Sequence, residues 1–192
     1  MSLLDKHLSQ DDKQEITPGE AIKGMIMNGL GFSNRPLSLS PQFFTSFPIE
    51  HLFREGVNAS HFNRYKLGRT LDQCYDFGCE SLFSLISHQA YEIEAVDCQF
   101  KSLNTTSHSL TGEYADNEDE SCNEHVIRIT NGHSKAHHPD LKQVVQEMMV
   151  SQDGGIPLAC KNWDGNSADT KVFKKRAKAL VKMVKATQSL TI

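Results

Sequence analysis

Val144-Val145-Gln146-Glu147-Met148-Met149-Val150, followed by Asp153-Gly154-Gly155 and then Pro157-Leu158-Ala159-Cys160-Lys161-Asn162-Trp163-Asp164-Gly165-Asn166, is the stretch that decides the fold. An apolar run of strand length ends in an Asp-Gly-Gly turn signal. Pro157 has no backbone N–H, so it fits only an edge or the start of the strand that follows. That strand is expected over Leu158–Trp163, and Asp164-Gly165-Asn166 is a second turn. Two further segments compete for strand status. Cys98, Phe100 and Leu103 form one. His125–Thr130 is the other, with Val126, Arg128 and Thr130 alternating against Ile127 and Ile129. A final helix is expected over Thr170–Ala186, with Asp169 as its cap.

Upstream the period changes from two to 3.6. Thr17-Pro18-Gly19-Glu20 has the form of a capping box with proline at the first helical position. Ile22, Met25, Ile26 and Leu30 follow at helical spacing, and Gly31 can end that helix. Short helices are expected near Gln42–Phe47 and Ile49–Arg54. Longer ones are expected over Lys66–Phe77, stopped by Gly78, and over Glu80–Glu92. The expected organisation is α+β: a loose start over 1–16, an all-helical domain over 17–94, and a strand-rich domain with a closing helix over 95–192.

The 192 residues carry a net charge of -4, with 38% apolar residues and 23% charged. The mean hydropathy is -0.45. No apolar run reaches bilayer-spanning length, and the N-terminus has no basic-then-apolar signal pattern, so a cytoplasmic location without membrane partners is expected. Five scattered cysteines suit a reducing compartment rather than a disulfide framework. Charge is unevenly spread. Glu113 to Glu124 holds six acids and no bases, whereas Lys171 to Lys185 holds seven bases and no acids. Lys171, Lys174, Lys175, Arg176 and Lys178 are therefore candidate DNA-phosphate contacts, with a solvated helix face as the equal alternative.

Several segments, taken in order, resemble one family. Ile22-Lys23-Gly24-Met25-Ile26-Met27-Asn28-Gly29-Leu30-Gly31-Phe32 resembles the opening helix of bacterial insertion-sequence transposases of the DDE type. Leu67-Gly68-Arg69-Thr70-Leu71-Asp72 resembles their second N-terminal signature. Leu103-Asn104-Thr105-Thr106-Ser107 resembles the strand that carries their first catalytic acid. Gly132-His133-Ser134-Lys135, His138-Pro139-Asp140-Leu141-Lys142-Gln143 and Trp163-Asp164-Gly165-Asn166-Ser167-Ala168-Asp169 resemble later blocks.

The resemblance implies DNA cutting and joining by phosphoryl transfer on an RNase H-like β-β-β-α unit. It implies magnesium held by two Asp and one Glu, because a hard cation prefers charged oxygen ligands. It also implies transposon-end DNA as partner, with a second copy or a full-length transposase as an assembly partner. Two departures bear on activity. The family's first Asp falls on Asn104, whose amide oxygen is neutral. The sequence also ends at Ile192, ahead of where the family's second Asp and its Glu would fall. The expectation is an incomplete RNase H-like unit without turnover, without a metal site of its own, and with an open sheet edge. Asp97 is seven positions from Asn104, and an odd separation on a strand points the other way.

Other constellations are weaker. His133, His137, His138 and Asp140, with Cys122 and His125 nearby, match no closed zinc spacing. Neither Cys98 nor Cys122 has a partner histidine at an interpretable spacing. Asp164, Asn166 and Asp169 lack the closing Glu of a calcium loop. His133, Ala136 and His138 also depart from the family's usual aromatic, Asp and Arg.

Overall fold

A computed structural model describes residues 3–8, 14–30, 36–97, 99–114, 126–133, 138–168 and 174. The chain divides into two compact units, Met1–Ile86 and Ser87–Ile192. Among the described residues, five α-helices precede a three-stranded antiparallel sheet, an α+β arrangement.

The first unit begins where local chemistry dictates. Helix α1 spans Pro18–Gly29. Thr17 Oγ1 accepts from Glu20 N at 3.1 Å, while Glu20 Oε2 accepts from Thr17 N at 2.8 Å, which closes the expected capping box. The expected end at Gly31 lies outside the described residues. Helices α2 (Ser40–Phe44) and α3 (Ile49–Leu52) are shorter than expected. Asn63 caps α4, Arg64–Phe77, by accepting from Tyr65 N and Lys66 N. Gly78 then takes φ +98° and donates back to Cys74 O and Tyr75 O. A residue with a Cβ would be strained there, and the glycine lets α5 (Cys79–Ile93) start at once.

Phe43, Phe44, Phe62, Ile16, Ala21, Val57 and Leu67 form the main core of this unit. Phe44 and Phe62 pack at 4.6 Å between ring centroids, and Phe53 lies 4.8 Å from Phe62. Each buried phenylalanine contributes about 1.5–3 kcal/mol through apolar area removed from water. Gly24 makes the packing feasible, since a Cβ there would sit 2.5 Å from Phe62 Cε1.

The loose start expected for residues 1–16 is corrected where it is described. Leu4–Lys6 form a 3-10 turn, Leu8 joins a second core cluster with Ile22, Cys74 and Leu82, and Ile16 is buried in the first. Buried Asp5 accepts from Gly19 N at 2.8 Å. A carboxylate at a helix N-terminus satisfies an otherwise unpaired N–H and complements the helix dipole.

In the second unit, β1 (Lys101–Leu110), β2 (Lys142–Ser151) and β3 (Pro157–Trp163) pair in the order β1-β2-β3, antiparallel throughout. Asn104 faces Met148 and Met148 faces Cys160, while Thr105 faces Glu147 and Glu147 faces Lys161. Pro157 opens β3 opposite Val150, next to an irregularity at Met149/Val150. The turn between β2 and β3 uses Gly154 at φ +68° and Gly155 at φ +64°, as its sequence predicts.

Two strand expectations are corrected. β1 starts after Phe100 and runs to Leu110, rather than centring on Cys98, Phe100 and Leu103. Its Thr-Thr-Ser-His-Ser stretch lacks an apolar period, yet Thr and Ser fit a pleated surface. The described part of His125–Thr130 is not a strand: only Thr130 bridges, to Gln143. Arg128 is instead held by the second turn, with its N–H on Asp164 Oδ1 at 3.0 Å and its carbonyl accepting from Gly165 N at 3.0 Å.

Candidate functional site

Asn104 lies mid-strand on β1 and is exposed. Its Oδ1 accepts from Thr105 N at 2.8 Å. Side chains alternate across a strand, so Asn104, Met148 and Cys160 share one face, and Thr105, Glu147 and Lys161 share the other. Glu147, the acid closest to Asn104 in register, is thus committed to the opposite face. It is 1% exposed, and its Oε2 accepts from Trp163 Nε1 at 3.0 Å. Lys161 Nζ lies 5.0 Å from the Trp163 ring centroid. The four groups form one polar, aromatic cluster on the buried face.

Asp97 does not join Asn104 on the sheet. It precedes β1, its N–H donates to Asp153 Oδ2 at 3.0 Å, and its Oδ1 accepts from Gln99 N at 2.8 Å. Both acids are therefore bound up in turn structure at the end of the sheet near Ser151. Among the described residues no three His, Cys, Asp or Glu side chains are grouped to hold a metal ion. Among the described residues, the Asn104 face of the sheet offers a neutral amide beside Met148 and Cys160, a donor set that does not fit a magnesium pair.

Of the weaker candidates, His138 Nδ1 lies 4.0 Å from Asp140 Oδ1, both exposed. His133 contributes its carbonyl to Gln143 Nε2 at 3.3 Å. His125, His137, Cys98, Cys122 and Asp169 lie outside the described residues. So do Lys171, Lys175, Arg176 and Lys178, and with them the final helix; Lys174 is exposed.

What the sequence reading missed is a crossing of three motif blocks. Gln143 Nε2 donates to Gly165 O at 2.7 Å in a buried setting. A Cβ on Gly165 would fall 2.0 Å from Gln143 O and 2.4 Å from Thr130 O. A Cβ on Gly132 would fall 2.1 Å from Gly165 O. Backbone lies on backbone here, which only glycine permits. The glycines in the Gly132 and Trp163-Asp164-Gly165 blocks were the available signal, and the chemistry they serve is packing.

Residues 1–88 match the model of a domain of unknown function, DUF4277. No curated protein and no solved structure matches the chain. Among the described residues, no helix is long and apolar enough to cross a membrane.

Proposed function

We propose that this chain is a relative of DDE transposases that takes part in DNA transposition as a non-catalytic DNA-binding or assembly component. DUF4277 is often found in transposase-like proteins, which supports the lineage. The three-stranded antiparallel order is compatible with the opening of an RNase H-like unit. The observation that carries the inactive reading is Asn104. An exposed, neutral amide stands where the resemblance places the first metal-binding acid, and Glu147 faces away from it. Losing one charged ligand removes several kcal/mol of a metal's help to the transition state, on the order of a thousandfold in rate or more. The cluster Lys171, Lys174, Lys175, Arg176 and Lys178 would supply phosphate contacts.

The test combines a nicking assay on supercoiled and linear duplex DNA, with magnesium or manganese, and binding titrations at stepped salt. The expected result is binding that weakens steeply with salt and no cleavage. Metal-dependent nicking that disappears in Asn104→Ala would overturn the inactive part. Absence of any binding at low salt would overturn the DNA-binding part.

A further inference from the structure

Helix α4 ends at Gly78, whose N–H is shared between Cys74 O at 3.1 Å and Tyr75 O at 3.0 Å. At a helix end closed by such a glycine, the side chain just after the glycine commonly meets the one four positions before it. Here both positions are cysteines, Cys79 and Cys74. Cys79 Sγ donates to Cys74 O at 3.8 Å, so its sulfur is folded back onto the last turn of α4. The two thiols also sense each other, since burial first and Cys79 second push the Cys74 thiol up. Both are free thiols.

Their surroundings differ. Cys79 is exposed, open to a reagent in solution. Cys74 is buried with Leu8, Ile22 and Leu82. That cluster is one of the attachments of the N-terminal stretch: Leu4 and Phe77 pack against it, and the His7 ring lies 5.8 Å from that of Phe77. One thiol is thus placed to meet an oxidant, and the other to change the packing.

We propose that Cys74 and Cys79 form a reversible disulfide across Gly78, closed by a low-molecular-weight disulfide such as oxidised glutathione, and that closure loosens the N-terminal stretch from α4. The Cys79 thiolate attacks one sulfur of the small disulfide, forming a mixed disulfide and releasing one small thiol. Cys74 then gives up its proton and attacks the Cys79 sulfur, which releases the second small thiol. Two protein thiols are oxidised and one small disulfide is reduced to two thiols. Closure draws the Cys74 sulfur towards Cys79, and the contacts it made with Leu8 and Ile22 are lost. The rotation is local, because Gly78 lacks the Cβ that would stiffen the turn. The switch lies within the first unit and is independent of any role in transposition.

The test equilibrates the full chain with stepped ratios of reduced to oxidised glutathione. Remaining thiols are blocked in denaturant, and chymotrypsin then cuts after Phe77, between the two cysteines. A Cys74–Cys79 linked peptide pair is expected, lost again on adding dithiothreitol and absent from Cys74→Ser and from Cys79→Ser. Its formation should quicken as pH rises through the alkaline range, because the thiolate is the attacking form. Trypsin should cut after Lys6 severalfold faster in the linked form than in the reduced one. Cys79→Ser, which leaves the buried cluster intact, should show no such redox dependence. Cys79 held only as the glutathione mixed disulfide, or linkage that appears only in urea, would overturn the pairing. Linkage that leaves the Lys6 cleavage rate unchanged would overturn the loosening.

Discussion

The side-chain amide of Gln143 donates to the backbone carbonyl of Gly165 at 2.7 Å, and that bond marks where three separated segments cross in the second unit. Thr130 exchanges both backbone bonds with Gln143, at 3.3 and 3.0 Å. Gly165 in turn donates to Arg128 O. A single side chain thus ties the loop before β2 to the turn after β3.

Gly165→Ala should therefore be severely destabilising to this unit. The added methyl would meet two backbone oxygens, which cannot swing aside as a side-chain tip would. The expected cost is about 3 kcal/mol. Trp163 is the sole tryptophan and sits on β3, so its fluorescence reports the second unit directly. Urea unfolding followed by that signal should show the midpoint fall. An unchanged midpoint would mean the crossing is far looser than described.

The two helix glycines of the first unit should respond in opposite ways. Gly24→Ala drives a Cβ to within 2.6 Å of two Phe62 ring atoms, and Phe62 is itself locked among Phe44 and Phe53. A loss of about 1–3 kcal/mol is expected from overpacking. Gly68→Ala meets open space and should gain about 0.5–1 kcal/mol from helix propensity. Far-ultraviolet circular dichroism melts at low protein concentration will compare them. Equal behaviour of the two variants would contradict the packing account.

Asp5 offers a sharper case, because its bond to Gly19 N joins the N-terminal stretch to the start of α1. Asp5→Ala strands the buried Gly19 N–H at the start of α1, for an expected loss of about 1–3 kcal/mol. Asp5→Asn keeps an acceptor and should lose less. Thr17→Ala removes the neighbouring cap and should cost about 1 kcal/mol. Thermal melts of the three variants should rank Asp5→Ala as no milder than Asp5→Asn. The reverse order would rule out the assigned hydrogen bond.

How much of this was legible follows from the range of each interaction. The capping box Thr17–Glu20 and the Gly154-Gly155 turn are settled within four residues, so their sequences display them. Asp5 reaches Gly19 across fourteen positions, and nothing in a polar N-terminal stretch announces which acid will be buried. His125–Thr130 has strand periodicity, yet Arg128 finds its partners on Asp164 and Gly165 rather than on a ladder. The position of Asn104 on a strand came from the resemblance. Which face it shares, and that Glu147 lies on the other, depended on the register with β2, which no local signal encodes.

Cysteine chemistry gives the last prediction, with its sign set by burial. Cys74 is buried on the inner face of α4, while Cys79 is exposed just beyond Gly78. Burial, and secondarily the neighbouring Cys79, push the Cys74 thiol above its ordinary value of 9.0. The folded state therefore holds the Cys74 proton where the unfolded chain releases it. That contribution to stability is complete below the unfolded pKa and is lost as pH rises through the folded one. Cys74→Ser should flatten any decline in stability above about pH 9. In the parent, a thiol-alkylating reagent at neutral pH should label Cys79 and leave Cys74 unmodified until urea opens the first unit. Site-mapped mass spectrometry reads both sites at once, and early labelling of Cys74 would show that the cluster with Leu8, Ile22 and Leu82 opens without unfolding.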